Sequence, residues 1–227
     1  INSEFSDYGG AFLKENFVFT SARDTGGVAN RKHKWTNASF YNLYNATVTS
    51  EGYLVAADPL SKKVNSKFNE SSAVFTKDNN TMYFTRNNFI NGKQKTDDSK
   101  TTLLKLYKAT KDDEGKWTNV VDLPFNSDQY SCAHPALSPD DKILYFASNM
   151  PGTVGQSDIF KVAINSDGTF GTPESLGGGI NTEARETFPF VANENELFFA
   201  SDGQLGLGGL DEKKKKIYDN GTMSKVI

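Results

Sequence analysis

The side chains that could do covalent or metal chemistry are few in this sequence. It contains two histidines, His33 and His134, and a single cysteine, Cys132. No two of them are spaced like the ligands of a zinc site, and a nucleophile needs a neighbouring base to activate it. His134 precedes Pro135 at the start of a predicted strand, where we expect its hydrogen bonds to shape the loop. The inventory predicts no catalytic residue, no metal site and no cofactor, and therefore a protein that is not an enzyme.

Two further motifs that bind ligands in other proteins are more simply explained by turns. The glycine-rich segment 206–209 joins two predicted strands, whereas a phosphate cradle needs the amides of a following helix. The pairs Asp112-Asp113 and Asp140-Asp141 fall in predicted turns, where aspartate stabilises the bend. Neither pair has the spacing of an EF-hand calcium loop.

Two long basic loops are the best candidates for a binding surface. They span residues 23–40 and 87–102, and recognition residues are often found on long loops held by a rigid scaffold. Trp35 would supply a buried anchor, while the surrounding cations would steer an acidic partner. A pair of solvated loops without a partner is the alternative. The predicted partner-binding residues are Arg23, Arg31, Lys32, Trp35, Arg86, Lys93 and Lys95.

The elements that must position these loops come as four ordered repeats, each carrying the same markers. The first marker is an apolar residue, then Asn, then Ser or Thr, and its asparagines are Asn2, Asn65, Asn126 and Asn181. The second is a hairpin whose second strand ends in an aromatic and a small polar residue. We expect four phenylalanines of these hairpins to be equivalent: Phe19, Phe84, Phe146 and Phe199. The third is an acidic-glycine turn before an aromatic, at Glu51-Gly52, Glu114-Gly115 and Asp167-Gly168.

Each repeat therefore predicts four short strands, which is typical of one blade of a β-propeller. The predicted fold class is all-β, with four-stranded antiparallel blades, about four of them visible as part of a six-bladed ring. An immunoglobulin-like sandwich would not explain four ordered copies of three markers. The predicted blades are residues 1–63, 64–124, 125–179 and 180–211. Residues 212–227 are predicted to be an irregular tail, discontinuous with the preceding chain, because Lys213 to Lys216 lack the alternating apolar pattern of a strand.

The composition and net charge argue against nucleic-acid partners and membrane spans. The 227 residues carry a net charge of −3 and are 37% hydrophobic, which suits a globular protein. This charge gives no bulk attraction to nucleic acid, and no apolar stretch approaches the ~20 residues of a membrane span. We therefore expect no nucleic-acid partner and no direct membrane span.

Several segments resemble a known family. Residues 134–148 resemble the WD-like repeat of TolB-type propellers, and Asp158-Ile159-Phe160 fits the start of that family's third strand. Residues 82–88, 199–203 and 206–211 resemble the propeller of OmpA-family envelope proteins of Bacteroidetes. The resemblance covers roughly residues 1–211. Some members, the PorE-like ones, are associated with type IX secretion and gliding.

The resemblance implies a periplasmic, outer-membrane-associated protein whose partners are other cell-envelope or secretion-system proteins. Peptidoglycan would be bound only through a separate domain that these residues do not contain. The leading hypothesis is thus a non-enzymatic protein-binding scaffold of an OmpA-family envelope protein. The alternatives are a propeller hydrolase and a module that binds carbohydrate or peptidoglycan fragments through exposed aromatics, for which Trp35 is the best candidate.

Overall fold

A computed structural model describes residues 2–23, 32, 37, 39–206, 208–217 and 223–224. None of these residues lies in a helix, so none of them forms a helix that could span a membrane. The chain divides into two compact units, residues 1–123 and 124–227. Each unit contains two four-stranded antiparallel sheets, which we call the first to fourth blades in chain order.

The first unit holds the first and second blades. Strands of the first blade lie in the order β1-β2-β3-β4, and those of the second in the order β5-β6-β9-β10. Between β6 and β9, the short strands β7 and β8 form a separate hairpin. The bounds are β1 Asp7–Leu13, β2 Asn16–Ser21, β3 Asn42–Val48, β4 Leu54–Pro59, β5 Glu70–Phe75, β6 Thr81–Asn87, β7 Phe89–Ile90, β8 Lys93–Gln94, β9 Leu104–Lys111 and β10 Trp117–Asp122.

The second unit holds the third and fourth blades, each with its four strands in chain order. The bounds are β11 Cys132–Leu137, β12 Ile143–Ser148, β13 Asp158–Ala163, β14 Glu174–Ser175, β15 Glu186–Asn193, β16 Glu196–Ser201, β17 Asp211–Ile217 and β18 Met223–Ser224.

Apolar side chains fill the space between the two blades of each unit. In the first unit, Val18 and Leu43 of the first blade join one cluster with Met82, Phe84 and Tyr107 of the second. All five are buried, because a single sheet covers an apolar face only by stacking on another. In the second unit the corresponding cluster contains Ala147 and Ile159 of the third blade with Leu197 and Phe199 of the fourth.

The strand registers show that the four repeats are structurally equivalent. The last paired residue of the second strand faces the first residue of the first strand in every blade, as in Ser21 opposite Asp7 and Arg86 opposite Glu70. Cys132 opposite Ser148 and Glu186 opposite Ser201 complete the set. The four phenylalanines predicted to be equivalent each lie two residues before that position and are at most 3% exposed. This prediction is confirmed.

A β-bulge recurs in each first strand and re-aims the chain at one residue. The pairing register shifts after the second residue of β1, β5, β11 and β15. The next residue has a positive φ in all four strands, a conformation that costs little only for glycine. These residues are Gly9, Ser72, His134 and Phe188, with φ of 63°, 46°, 55° and 49°.

The prediction of an irregular segment after Asp211 was wrong for residues 212–217. Asp211–Ile217 is a continuous strand, β17, that pairs with β16 along six residues. Two of its lysines have specific partners for their ammonium groups. Lys213 donates to the carbonyl of Leu205 at 2.7 Å, and Lys214 pairs with Glu196 at 2.5 Å. An alternating apolar pattern is therefore not required for the third strand of this blade.

Candidate functional site

The predicted binding residues divide into those that the structure describes and those that it does not. Arg31 and Trp35, together with His33, lie outside the described residues. Lys32 is exposed and forms an isolated antiparallel bridge with Ser39. Of the remaining four, Arg23 and Arg86 form ion pairs with acidic residues of the blades, and Lys93 and Lys95 lie on an exposed loop.

Arg23 is held against the first blade by an ion pair. Its Nη2 lies 3.0 Å from Oδ1 of Asp7, and its guanidinium stands 5.0 Å from the ring centroid of Phe19 and 5.2 Å from that of Tyr44. Burial raises the pKa of Asp7, but hydrogen bonds from Ser21, Ser3 and Arg23 outweigh it and hold that pKa well below its usual range. Arg23 is thus part of the blade as well as the first residue of its loop.

Arg86 lies inside the second blade and is not an exposed charge on its rim, which corrects the expected environment. It is 4% exposed, and its Nε lies 2.9 Å from Oε1 of the fully buried Glu70. Nη2 donates to the carbonyl of Val64 at 2.5 Å and Nη1 to that of Phe89 at 3.4 Å. Arg86 therefore ties together the linker before β5 and the loop after β6.

The carboxyl group of Glu70 is the other half of this arrangement. Burial raises its pKa to about 7, although the Arg86 guanidinium and hydrogen bonds from Ser66 oppose the rise. The backbone N–H of Ser66 donates to Glu70 Oε2 at 2.9 Å. The ion pair is thus built into the same linker that carries the asparagine marker.

In two of its four copies, the asparagine marker clamps two consecutive blades together. The side chain of Asn65 accepts from the N–H of Leu43 and donates to its carbonyl, both at 2.9 Å. Asn181 does the same with Ile159 in the second unit, at 2.8 and 3.0 Å. A side-chain amide carries a donor and an acceptor side by side and can therefore pair with both backbone groups of one strand residue, which explains why the marker is asparagine.

The loop from Asn87 to Thr102 is an ordered hairpin. Strands β7 and β8 are joined by Asn91-Gly92, with φ of 51° and 77°, as in tight two-residue turns. Lys93 and Lys95, on the second arm, are both exposed. Both lysines therefore lie on the exposed surface of the predicted loop, and their role in binding a partner stays a prediction.

Three phenylalanines form an aromatic cluster at the base of this hairpin. The ring centroids of Phe40 and Phe68 are 6.1 Å apart and those of Phe68 and Phe89 are 5.0 Å apart. All three are partly exposed. The ammonium of Lys67, itself exposed, lies 5.7 Å from the Phe68 centroid and 5.1 Å from that of Phe89. We call Phe40, Lys67, Phe68 and Phe89 the aromatic cluster.

A cavity of about 330 Å³ opens beside the cluster. The linker turn of Lys62 and Lys63, the hairpin residues Phe89 and Ile90, and Arg86 contribute to its wall. Sequence reasoning missed both the cluster and the cavity. The Asn-Gly turn between two short apolar and basic runs and the Lys-Lys pair before Asn65 were signals that could have found them.

His134 and Cys132 take structural positions in the third blade. His134 Nδ1 lies 2.6 Å from Oγ1 of Thr187, and its ring stacks on Phe188 with centroids 3.7 Å apart. Burial lowers the pKa of His134 to about 4. Cys132 is buried beside Ser148. Among the described residues there is no group of three His, Cys, Asp or Glu side chains that could hold a metal ion.

No family model matches the chain, and no curated protein sequence is significantly similar to it. Solved structures do resemble it. TolB from Acinetobacter baumannii has a TM-score of 0.52 at 13% identity, over 97% of this chain and 43% of that one. A putative TolB from Agrobacterium tumefaciens has a TM-score of 0.54 at 15% identity, over 92% and 60%. A thermostable family-43 glycoside hydrolase has a TM-score of 0.56 at 11% identity, over 94% and 72%.

These likenesses establish the fold. The chain is an all-β protein of four antiparallel β-propeller blades, similar to TolB propellers, as the repeats predict. It spans about half the length of the two TolB chains. Because the same fold is found in TolB and in a glycoside hydrolase, the fold alone does not choose between binding and catalysis.

Proposed function

We propose that the protein is a non-enzymatic scaffold that binds an acidic protein partner through the loop end of its second blade. The observation that carries the proposal is the aromatic cluster, in which three packed but partly exposed phenylalanines are capped by Lys67. Aromatic side chains are enriched at the centres of protein interfaces, where a few residues contribute most of the binding energy.

The surroundings of the cluster carry several exposed cations. Lys62, Lys63, Lys93 and Lys95 are exposed on the linker and hairpin that flank it. Cations at the rim of an apolar patch raise the rate of association with an acidic partner and disfavour basic ones. The net charge of the whole chain is −3, so this basic surface is a local feature.

The hairpin and linker are also held in place before any partner arrives. Arg86 binds the carbonyls of Val64 and Phe89, one on each side of the cluster. A surface that is ordered in advance loses less conformational entropy when it binds. The contributions predicted for Arg31 and Trp35 stay predictions.

The proposal includes a cellular location and a class of partners. We place the protein in the periplasm, associated with the outer membrane, where it would dock other cell-envelope or secretion-system proteins. The supporting observations are the sequence motifs that resemble OmpA-family propellers, including PorE-like ones of type IX secretion, and the fold shared with TolB.

A pair of matched double variants tests the proposal. K67A/F68A removes the centre of the cluster, whereas F12A/K116A removes an exposed phenylalanine and an exposed lysine from the opposite ends of the strands. Purified proteins would be crosslinked in the envelope fraction of the source cells, and the partners quantified by mass spectrometry. We expect K67A/F68A to recover much less partner than the wild-type protein, as a loss of roughly 1–3 kcal/mol of binding free energy would produce. The control should recover as much as the wild-type protein.

Equal recovery of partners by the two variants would contradict the proposal. Binding of purified peptidoglycan fragments that K67A/F68A abolishes would instead favour the carbohydrate alternative. Turnover of chromogenic glycosides or peptides by the wild-type protein, lost on substitution of His134, would favour a hydrolase.

A further inference from the structure

The open cavity beside the aromatic cluster is bordered by three elements of the first unit. The turn of the linker at Lys62 and Lys63 forms one side, and Phe89 and Ile90 of β7 form another. The third side is the bulge of β10 at Asn119 and Val120, where the pairing with β9 skips a register. Bulges re-aim side chains and are common beside binding sites.

The charge lining this cavity is of one sign. Lys62, Lys63 and Arg86 are its charged residues, and no carboxylate is among the residues that line it. Within the described part of the chain, neither lysine forms an ion pair. Glu70, which neutralises part of the Arg86 charge, is fully buried behind it. The cavity thus concentrates positive potential in a concave site.

The fold does not require these cations. Counting back from the clamp asparagine, the positions of Lys62 and Lys63 are Gly178 and Gly179 before Asn181, and Leu123 and Pro124 before Asn126. Asn181 makes the same clamp with two glycines in place of the lysines. The position of Arg86 is serine in both blades of the second unit. The three cations therefore coincide only at the linker between the first and second blades.

We propose that this cavity binds the oxyanion group, phosphate or carboxylate, of a small molecule. The ammonium groups of Lys62 and Lys63 are the direct partners of the anion. Arg86 contributes its charge from the wall, since Val64 and Phe89 already accept from its Nη atoms. Phe89 and Ile90 offer an apolar wall to the rest of the ligand, and a volume of about 330 Å³ suits a small metabolite rather than a polymer.

This inference goes beyond the protein-binding function, because it requires neither Phe40 nor Phe68. Either proposal can therefore fail alone. K67A/F68A leaves every charged residue of the cavity in place, and a variant of Lys62 and Lys63 leaves the aromatic cluster intact.

The test is an NMR titration of the 15N-labelled protein with inorganic phosphate and, separately, with acetate at constant ionic strength. We expect saturable shifts at the amides of residues 62–66 and 119–120. K62A/K63A should bind about tenfold more weakly, because two charge-assisted hydrogen bonds are lost. The control K93A/K95A removes two exposed lysines of the neighbouring hairpin and should bind within about twofold of wild type.

Saturable binding of either probe supports the proposal, and the tighter one identifies the oxyanion. Equal affinity of K62A/K63A and wild type would overturn it. So would shifts that fail to saturate and spread over exposed lysines throughout the chain.

Discussion

The second and fourth blades begin with the same residue, a fully buried glutamate, and satisfy it differently. Glu70 and Glu186 each accept the backbone N–H of the residue four positions earlier, at 2.9 and 2.8 Å. In the fourth blade the other oxygen takes two hydroxyl groups, from Ser201 at 2.6 Å and Thr182 at 2.8 Å. In the second blade Arg86 stands where Ser201 would be.

The difference between the second and fourth blades distinguishes the contacts that the blades share from those that the second blade alone makes. A buried carboxylate that accepts from the linker is common to the second and fourth blades, whereas Cys132 takes that position in the third. In the fourth blade, the hydroxyl groups of Ser201 and Thr182 complete the hydrogen bonding of Glu186 without a second charge. The guanidinium in the second blade does more, because it also binds the carbonyls of Val64 and Phe89 and so fixes the surface beside them.

The largest effect should come from truncating this arginine. Arg86→Ala leaves a buried carboxylate without its cation and two carbonyls without a donor, which should lower the free energy of unfolding by about 3–5 kcal/mol at pH 8. Ser201→Ala removes one hydroxyl hydrogen bond and should cost about 1–2 kcal/mol. Both would be measured by urea denaturation, followed by tryptophan fluorescence for the first unit, where both tryptophans lie, and by hydrogen exchange for the second.

Arg86→Lys is the control for charge. It keeps a cation but lacks the fork that reaches both carbonyls. The stability of this variant should therefore fall between that of the wild-type protein and that of Arg86→Ala. Equal losses for Arg86→Ala and Ser201→Ala would show that the guanidinium adds nothing beyond the hydroxyl, and the comparison between the blades would fail.

The next effect is a difference in pH dependence between the two units. Glu70 has a pKa raised from 4.5 to about 7, so its contribution to stability is full below pH 4.5 and lost as pH rises through 7. His134 has a pKa lowered from 6.5 to about 4, so its contribution is full above pH 6.5 and lost as pH falls through 4. Each of these contributions to the free energy of unfolding is roughly 3 kcal/mol. Between pH 4.5 and 6.5 the first unit should therefore gain stability on acidification and the second should lose it.

Hydrogen exchange of the β6 and β12 amides as a function of pH, corrected for the intrinsic exchange rate, measures the two units separately. Glu70→Gln should flatten the profile of β6 alone, and His134→Asn, which tolerates the positive φ of that position, should flatten that of β12 alone. If exchange of β6 and β12 depended on pH in the same way in the wild-type protein, the assignment of opposite effects to Glu70 and His134 would be wrong. Asp7, with its pKa well below the usual range, does not titrate in this window.

A third measurement should find the blades alike. Asn65→Ala and Asn181→Ala each leave a strand N–H and a carbonyl without their side-chain partner, and each should cost about 1–3 kcal/mol. Asn195→Ala, at an exposed turn and without a positive φ, is a control for a general loss of asparagine. Costs that differ between Asn65 and Asn181 by more than about 1 kcal/mol would mean that the clamp is not a common element of the repeat.

Sequence reasoning was strongest where a physical requirement recurs. Four asparagines, four phenylalanines and three acidic-glycine turns predict four blades, because each repeat must clamp, fill and turn in the same way. The acidic residue four positions after Ser3, Ser66 and Thr182 has the same regularity and could have been read as the buried carboxylate.

It was weakest where a requirement is met only once. Nothing in the sequence distinguishes a buried Arg86 from an exposed one, since its partner Glu70 is 16 residues away and on another strand. The strand at Lys213 to Lys216 was missed because its pairing is a backbone property, and the lysine stems tolerate it without an apolar pattern. The aromatic cluster joins residues from three separate segments, and only the folded chain brings them together.

The smallest expected effect joins the buried ion pair to the proposed anion site. As pH falls from 8 to 6, Glu70 takes up a proton and compensates less of the Arg86 charge at the cavity wall. Sulfate keeps its charge in this range, so its affinity should rise by roughly two- to fivefold, as expected for charges near a solvated surface. The other charged groups that line the cavity are Lys62 and Lys63, while Ser66 bonds Glu70 and the Tyr107 ring lies against Arg86.

Glu70→Gln isolates the effect, because it keeps all of these groups and removes only the titration. Its affinity for sulfate at pH 8 should already match that of the wild-type protein at pH 6, and any remaining pH dependence, measured by NMR titration, would belong to other groups. Identical pH profiles in the two proteins would show that the ion pair does not influence the cavity. In that case Arg86 would act on this surface only by holding the two carbonyls, and the difference between the second and fourth blades would be purely structural.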